Sequence, residues 1–330
     1  MRKAMNEGLI AKEKWWEWVE DKKDRVFLTE RAKSRYGKWF PREVKVVKNG
    51  KEILLPPGEE VYRYFWTGEK WKIKEREISA SPAFLFSLPC EARAIIEVTD
   101  KIFLNNPIDK NYWLRRKSLS LGIMACLQPE PTCFCSSVGG GPFWRDEGAL
   151  FLVPREDDIY IQGEGELFSF SEEVEEKIKE EIQALQKKAE SVLPSLLPSY
   201  FPQELYRYFE DEEWNELSWH CINCGACTFL CPTCYCFDLN VEGKLKGFQL
   251  RSWDSCMFPK FTLHASFHNP RPTGKERVRQ RVMHKFSYFP EREGNFACVG
   301  CGVCVEKCPV NWDIREAIER MVEKIDRFRT

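Results

Sequence analysis

Eight of the fifteen cysteines fall into two copies of one spacing. Cys221, Cys224, Cys227 and Cys231 are followed by Pro232, and Cys298, Cys301, Cys304 and Cys308 by Pro309, so each copy reads C-x2-C-x2-C-x3-C-P. Thiolates at that spacing can hold the corners of an iron-sulfur cubane, so the doubled run predicts two [4Fe-4S] clusters and the movement of single electrons. Zinc ribbons use two C-x2-C pairs, and disulfides need no such run. Neither accounts for a third and a fourth cysteine with proline behind them in both copies.

The spacing has a mechanical reason. Three cysteines three residues apart in a tight loop reach three corners of one cubane, while the fourth, a helical turn later, points at the neighbouring cluster, as in two-cluster ferredoxins. One cluster is then expected on Cys221, Cys224, Cys227 and Cys308, and the other on Cys298, Cys301, Cys304 and Cys231. Each proline removes a backbone N–H and turns the chain away. Gly225, Ala226, Gly300 and Gly302 are small enough to let backbone amides approach the sulfurs, and such hydrogen bonds tune the potential.

A second set of thiols lies in the first half: Cys90 in LPCE, Cys126 in MACL, and Cys133 with Cys135 in TCFC. Cys90 and Cys126 each follow a predicted strand, and loops at the carboxyl ends of strands in an open α/β sheet share one crevice. The four are a candidate third [4Fe-4S] site, with buried inert cysteines as the alternative. Gly139, Gly140, Gly141 and Pro142 follow as a turn whose amides could face cluster sulfur. Cys234, Cys236 and Cys256 exceed what two clusters need; they read as thiols beside a cluster, or as a shared extra metal site. His220, His264, His268 and His284 show no ligand spacing and read as structural.

These residues need a scaffold, and 330 residues allow two domains and a sizeable core. The expected fold is α+β: a mixed α/β domain over 1–168, a helical linker over 169–215, and over 216–330 an elaborated, mostly helical ferredoxin-like domain holding both motifs. Apolar or alternating runs at Lys45–Val47, Ile53–Leu55, Val61–Phe65, Ala83–Leu88, Ala94–Val98, Leu119–Ala125 and Leu150–Val153 predict strands. Ser169 and Glu172 form a capping box for a helix running to about Glu190, with Val174, Ile178, Ile182 and Leu185 on one face. The three prolines between Leu193 and Pro202 break the chain at a domain boundary; helices are expected from about Gln203 to Trp219 and from Trp312 to Phe328. The long insertion Thr233–Ala297 reads as a lid over the clusters, with an ordered loop at Arg251–Pro272.

Charge nearly cancels, with Lys+Arg 50 against Asp+Glu 51, so no global field favours nucleic acid or a membrane surface. The first residues lack the pattern of a signal peptide, and no apolar run could span a bilayer. Fifteen cysteines arranged for metal imply the reducing cytoplasm. No G-x-G-x-x-G after a strand, no P-loop and no hydrolase constellation is present, so the chain has no evident place for two-electron chemistry of its own.

The stretches WHCINCGACTFLCPTCYCFDL, RSWDSCMFPKFTLHASFHNPR and RVMHKFSYFPEREGNFACVGCGVCVEKCP resemble the iron-sulfur electron-transfer subunits of anaerobic sulfite reductase and of soluble archaeal NiFe sulfhydrogenase, in the latter the beta subunit. SLPCEARAI and the TCFCSSVGGGP segment carry the resemblance into the first half. It implies a relay between a flavoprotein subunit with FAD and a [2Fe-2S] centre and a catalytic subunit bearing sirohaem or a NiFe site. It also implies the same eight ligands. Two other readings stay open at this point: a reductase whose own active site is a cluster in the first domain, and a redox sensor or scaffold.

Overall fold

The computed structural model describes residues 6–78, 80–164 and 171–329. Eleven strands occur among them: β1 Asn6–Ala11, β2 Val26–Thr29, β3 Lys45–Val47, β4 Gly58–Trp66, β5 Trp71–Glu75, β6 Ala83–Ser87, β7 Leu119–Met124, β8 Leu150–Pro154, β9 Asp158–Gly163, β10 Phe237–Gly243 and β11 Lys246–Trp253. The chain divides into two units, one made of 1–54, 80–194 and 299–301, the other of 55–79, 195–298 and 302–330. The segment 169–215 is therefore split between them at Pro194 and Ser195.

The first unit is built on a seven-stranded sheet in the order β1-β9-β8-β7-β6-β2-β3. Strands β3, β2, β6, β7 and β8 run parallel, and β9 and β1 close one edge antiparallel. A parallel sheet is covered on both faces, which explains near-continuous apolar runs such as Ala83–Ser87 and Leu119–Met124. Trp15, Trp18, Phe40 and Phe86 fill one side, and the indole N–H of Trp15 donates to the Trp39 carbonyl at 2.7 Å. The parallel order sets the carboxyl ends of β2, β6 and β7 side by side. The segments that follow them carry Arg31 in the helix Glu30–Tyr36, Cys90 in the helix Pro89–Arg93, and Cys126 in a loop.

Two predicted strands are helical. Ile53 and Leu54 lie in the helix Lys51–Leu54, and Ala94–Thr99 continues the helix Pro89–Arg93 as a π-helix. Short apolar runs have no decisive period, and tertiary packing chose for them. The helix expected from Ser169 runs instead over Glu176–Glu190, and the Ser169 end of its proposed capping box lies outside the described residues.

The second unit contains a four-stranded antiparallel sheet in the order β10-β11-β4-β5. The predicted Val61–Phe65 strand thus belongs to β4 and pairs with β11, far along the chain, not with the first sheet. Tyr64 pairs with Ile73 and with Gly247, so Leu239, Val241, Tyr64, Trp71 and Ile73 share a face. That face is largely bare, with Ile73 68% and Val241 62% exposed. The guanidinium of Arg251 on β11 bonds the carboxylate of Glu59 on β4, which is 1% exposed. Arg251→Met removes the cation that faces this buried carboxylate and should cost about 3–5 kcal/mol in denaturant unfolding. A loss below about 1 kcal/mol would show that the pair is dispensable.

The helix expected from Gln203 to Trp219 is broken into Phe201–Leu205, a turn at Tyr206–Tyr208 and Glu213–Ser218. The last helix, Ile314–Phe328, buries Ile314, Ala317, Ile318, Met321 and Ile325 at helical spacing, and the Asp313 side chain accepts from the Arg315 amide at its start. Within the insertion, residues after Trp253 run without regular structure to the helix Gly274–Met283. That helix is opened by a Thr273 and Glu276 capping box and extended by a π-helix at His284–Tyr288. No helix of the described residues is long and apolar enough to cross a membrane.

Candidate metal centre

The two cysteine motifs share one backbone. Asn223 (φ 55) and Gly225 (φ 78) flank Cys224 in the left-handed region, and Gly300 (φ 62) and Gly302 (φ 72) flank Cys301 in the same way. Gly225 opens the one-turn helix Ala226–Phe229, and Gly302 opens Val303–Glu306. Their first bonds match: Thr228 N–H donates to the Gly225 carbonyl and Val305 N–H to the Gly302 carbonyl, both at 2.9 Å. Alternating left- and right-handed residues turn successive amides to one side of the loop, the concavity that takes anions and iron-sulfur sites. Glycine and asparagine are the residues that occupy such positions at least cost.

In the second unit, Cys221, Cys224, Cys227 and Cys308 line one cavity, together with Cys304, Met257, Val278, Arg281, Pro309 and Trp312. Four of these five cysteines are the set expected on one cluster from the spacing, and the fifth, Cys304, is expected on the other. The Trp312 amide donates to the Cys308 sulfur at 3.1 Å, and the Trp312 indole N–H is anchored on the Leu217 carbonyl at 2.6 Å. Burial pushes the Cys227 thiol up to about 11 and Cys221 upward too. Iron must therefore displace protons from these thiols as a cluster assembles. No three His, Cys, Asp or Glu of the described residues converge as a single ion requires. A cubane instead asks for thiols spread around its corners, which is what the cavity offers.

Cys231 has a different environment. Lys285, 4% exposed, donates to the Cys231 sulfur at 3.5 Å, to Thr233 Oγ1 at 2.9 Å and to the Ala297 carbonyl at 2.8 Å. A hydrogen bond from Cys234, aided by the Lys285 charge, holds Cys231 well below the ordinary thiol range. Cys298 also acts on Lys285. Cys301 falls in the first unit. The set Cys231, Cys298, Cys301 and Cys304 therefore stands on its spacing and on the repeated loop.

The three surplus cysteines lie beside these ligands. Cys234 hydrogen-bonds Cys231, Cys236 and Cys256 hydrogen-bond each other as free thiols, and Cys221, Cys227 and Cys236 pack against the apolar cluster that contains Cys256. The hairpin sets this up: Phe237 pairs with Trp253, and the Asp254 amide donates to the Cys236 carbonyl at 3.0 Å. Among the histidines, His284 is half-buried with its Nε2 3.2 Å from the Tyr235 hydroxyl, and His264 lies edge-on to His268.

In the first unit the four amino-terminal thiols influence one another electrostatically. The Arg31 guanidinium spans two of them, with Nη1 3.4 Å from Cys90 Sγ and Nη2 3.7 Å from Cys133 Sγ. Cys133 acts electrostatically on both Cys126 and Cys135, and all three are buried. Burial drives Cys135 up to about 12 and Cys90 higher still. Burial also works against the Arg31 charge, but Cys90, Cys301, Glu91 and Cys133 outweigh it and raise the pKa. The loop 299–301 lies on this site: the Phe134 amide donates to the Gly300 carbonyl at 2.8 Å, and Cys133 Sγ to the Cys301 carbonyl at 3.6 Å.

The glycine turn behaves differently from expectation. The Gly140 amide is bonded to the Cys135 carbonyl at 2.9 Å and the Gly139 amide faces the Ser136 carbonyl, so neither is free for cluster sulfur. The turn instead makes room for Arg93, whose Nη2 donates to the Val138 carbonyl at 2.6 Å. Sequence reading missed the cations Arg31, Arg281 and Lys285. The one available signal was the four-residue spacing of Arg277, Arg281 and Lys285 along a helix.

Comparison with known proteins agrees with this geometry. A family model described as a 4Fe-4S dicluster domain matches residues 220–312. The chain is similar to sulfhydrogenase 2 subunit beta of Pyrococcus furiosus, 31% identical over 239 residues, covering 69% of this chain and 70% of the relative. No solved structure matches.

Proposed function

Since the chain belongs to the sulfhydrogenase beta-subunit family of iron-sulfur electron-transfer subunits, we propose that it relays single electrons between a flavoprotein subunit and a catalytic oxidoreductase subunit in the cytoplasm. The observation that carries this reading is the cavity in which Cys221, Cys224, Cys227 and Cys308 meet. A [4Fe-4S] cluster held there supplies one-electron redox chemistry. The protein's part is to hold the thiolates, turn amides toward the sulfur and keep water out, as Met257, Val278 and Trp312 do on the cavity wall. Cys298, Cys301, Cys304 and Cys231 are the ligands of the second cluster.

Cys90, Cys126, Cys133 and Cys135 are proposed to hold a third [4Fe-4S] cluster, supported by the Arg31 cation placed against two of the thiols. Four thiols leave no displaceable position on such a cluster, which favours a relay over a reductase active site. The bare apolar face of the four-stranded sheet supports a chain that works as one subunit of a larger assembly.

The test is isolation of the native complex under strictly oxygen-free conditions through a tag on this chain, with companions identified by mass spectrometry. The relay reading expects a flavoprotein carrying FAD and a [2Fe-2S] centre on one side and a sirohaem or NiFe subunit on the other. A chain that purifies alone and turns over a substrate would replace it with the reductase reading. Iron and sulfide should reach about twelve each per chain with three clusters and about eight with two.

A further inference from the structure

Arg277, Arg281 and Lys285 recur every four residues and form a stripe along one side of the insertion helix. All three are buried, at 7%, 2% and 4% exposure, which is unusual for cations. The outer two have protein partners. Arg277 donates to Asn223 Oδ1 and to the carbonyls of Arg271 and Pro272, each at 3.1 Å, and Lys285 is bonded around Cys231. Arg281 differs. Its Nε, Nη1 and Nη2 are all buried with no hydrogen-bond partner, and no carboxylate of the described residues pairs with it. Its one defined neighbour of the usual kind is the Trp312 ring, 5.4 Å away. It lines the cavity of Cys221, Cys224, Cys227 and Cys308, and Cys227 and Cys304 are the thiols that act on it most strongly.

A guanidinium with five N–H donors cannot stay buried without an acceptor or a counter-charge, because desolvating it is costly. A cubane bound by four thiolates is net negative and becomes more so on reduction, and its sulfurs accept hydrogen bonds. We propose that Arg281 is a cofactor-binding residue, its guanidinium donating to sulfur of the cluster held by Cys221, Cys224, Cys227 and Cys308 and raising that cluster's reduction potential. This rests on the two-cluster reading above. Arginine suits the place better than lysine, because a planar fork can address several sulfur atoms at once and is less strongly hydrated.

The test uses the whole chain, reconstituted or as the native complex, with 15N-labelled arginine. Pulsed EPR on the dithionite-reduced Arg31→Lys chain, in which the other guanidinium placed near cluster thiols is gone, should show a guanidinium 15N coupling to a cluster, lost when Arg281→Lys is added. Redox titration of an Arg281→Lys chain with native iron content should show the reduction equilibrium moved about tenfold toward the oxidised form, a midpoint lower by about 59 mV for one electron. Absence of arginine coupling in the unsubstituted protein overturns the inference, as does a fully loaded Arg281→Lys chain with an unchanged midpoint. If that variant fails to take up iron, the labelled unsubstituted protein and Arg31→Lys decide. A native chain without iron would defeat the cluster reading itself, a separate outcome.

Discussion

Replacing Cys301 with Ser should stop electron flow through the complex while leaving the first unit folded. A serine hydroxyl is a hard, weakly acidic ligand where iron-sulfur chemistry calls for a soft thiolate, so one corner of a cluster is lost. Iron should fall by about four per chain, the content of one cubane. The backbone contribution of the residue survives, because the contact with Cys133 is made by the Cys301 carbonyl and not by its thiol. The readouts are therefore separable: iron analysis and donor-to-acceptor rate for the cluster, and limited proteolysis or near-ultraviolet dichroism for the sheet of the first unit. Unchanged transfer rates in a chain that has lost the iron would remove Cys301 from the relay.

Gly300→Ala, one residue earlier, should be damaging for a reason that has nothing to do with ligation. Gly300 sits at φ 62, and a Cβ there would meet Cys135 Cα, Cys135 N and the Phe134 carbonyl carbon, each at 2.6 Å. These are backbone atoms that cannot swing aside. The left-handed conformation alone costs an alanine about 1–2 kcal/mol. Pushing the loop away also breaks the 2.8 Å bond from the Phe134 amide to the Gly300 carbonyl, worth about 1 kcal/mol. The sum, about 2–3 kcal/mol, is a large fraction of a typical folding free energy. Gly294→Ala is the matched control, since Gly294 has φ 78 but nothing within 4 Å of its added Cβ. It should show the dihedral cost alone. Equal thermal inactivation rates for the two variants would mean that the close approach at Gly300 contributes nothing.

Candidate ligands were legible in the sequence because a cubane loop is a local object: the cysteine spacing, the glycines and the closing proline of each motif all lie within a few turns of chain. The spacing pointed to Cys308 beside Cys221, Cys224 and Cys227, and those four line one cavity together with Cys304. The long terminal helix and the parallel strands around Cys90 and Cys126 were likewise written in local periodicity. What hydropathy hid was everything settled by partners distant in the chain. Ile53–Leu55 and Ala94–Val98 carry apolar runs too short to choose between helix and strand, and packing made them helical. Strand β4 read as part of the first domain, yet it pairs with β11, because hydrogen-bonded register is fixed by cross-strand fit and not by proximity along the chain.

The cations show the same division most clearly. In a sequence, Arg281, Lys285 and Arg31 look like ordinary solvated positions, since charged side chains are almost always exposed. Only the folded chain puts Arg281 and Lys285 out of water and sets Arg31 and Lys285 against sulfur. Residue type and short-range spacing were enough to say which atoms can hold iron, because ligation is a local matter. Which charges surround those atoms emerged only on folding, because an electrostatic environment is the sum of groups gathered from the whole chain.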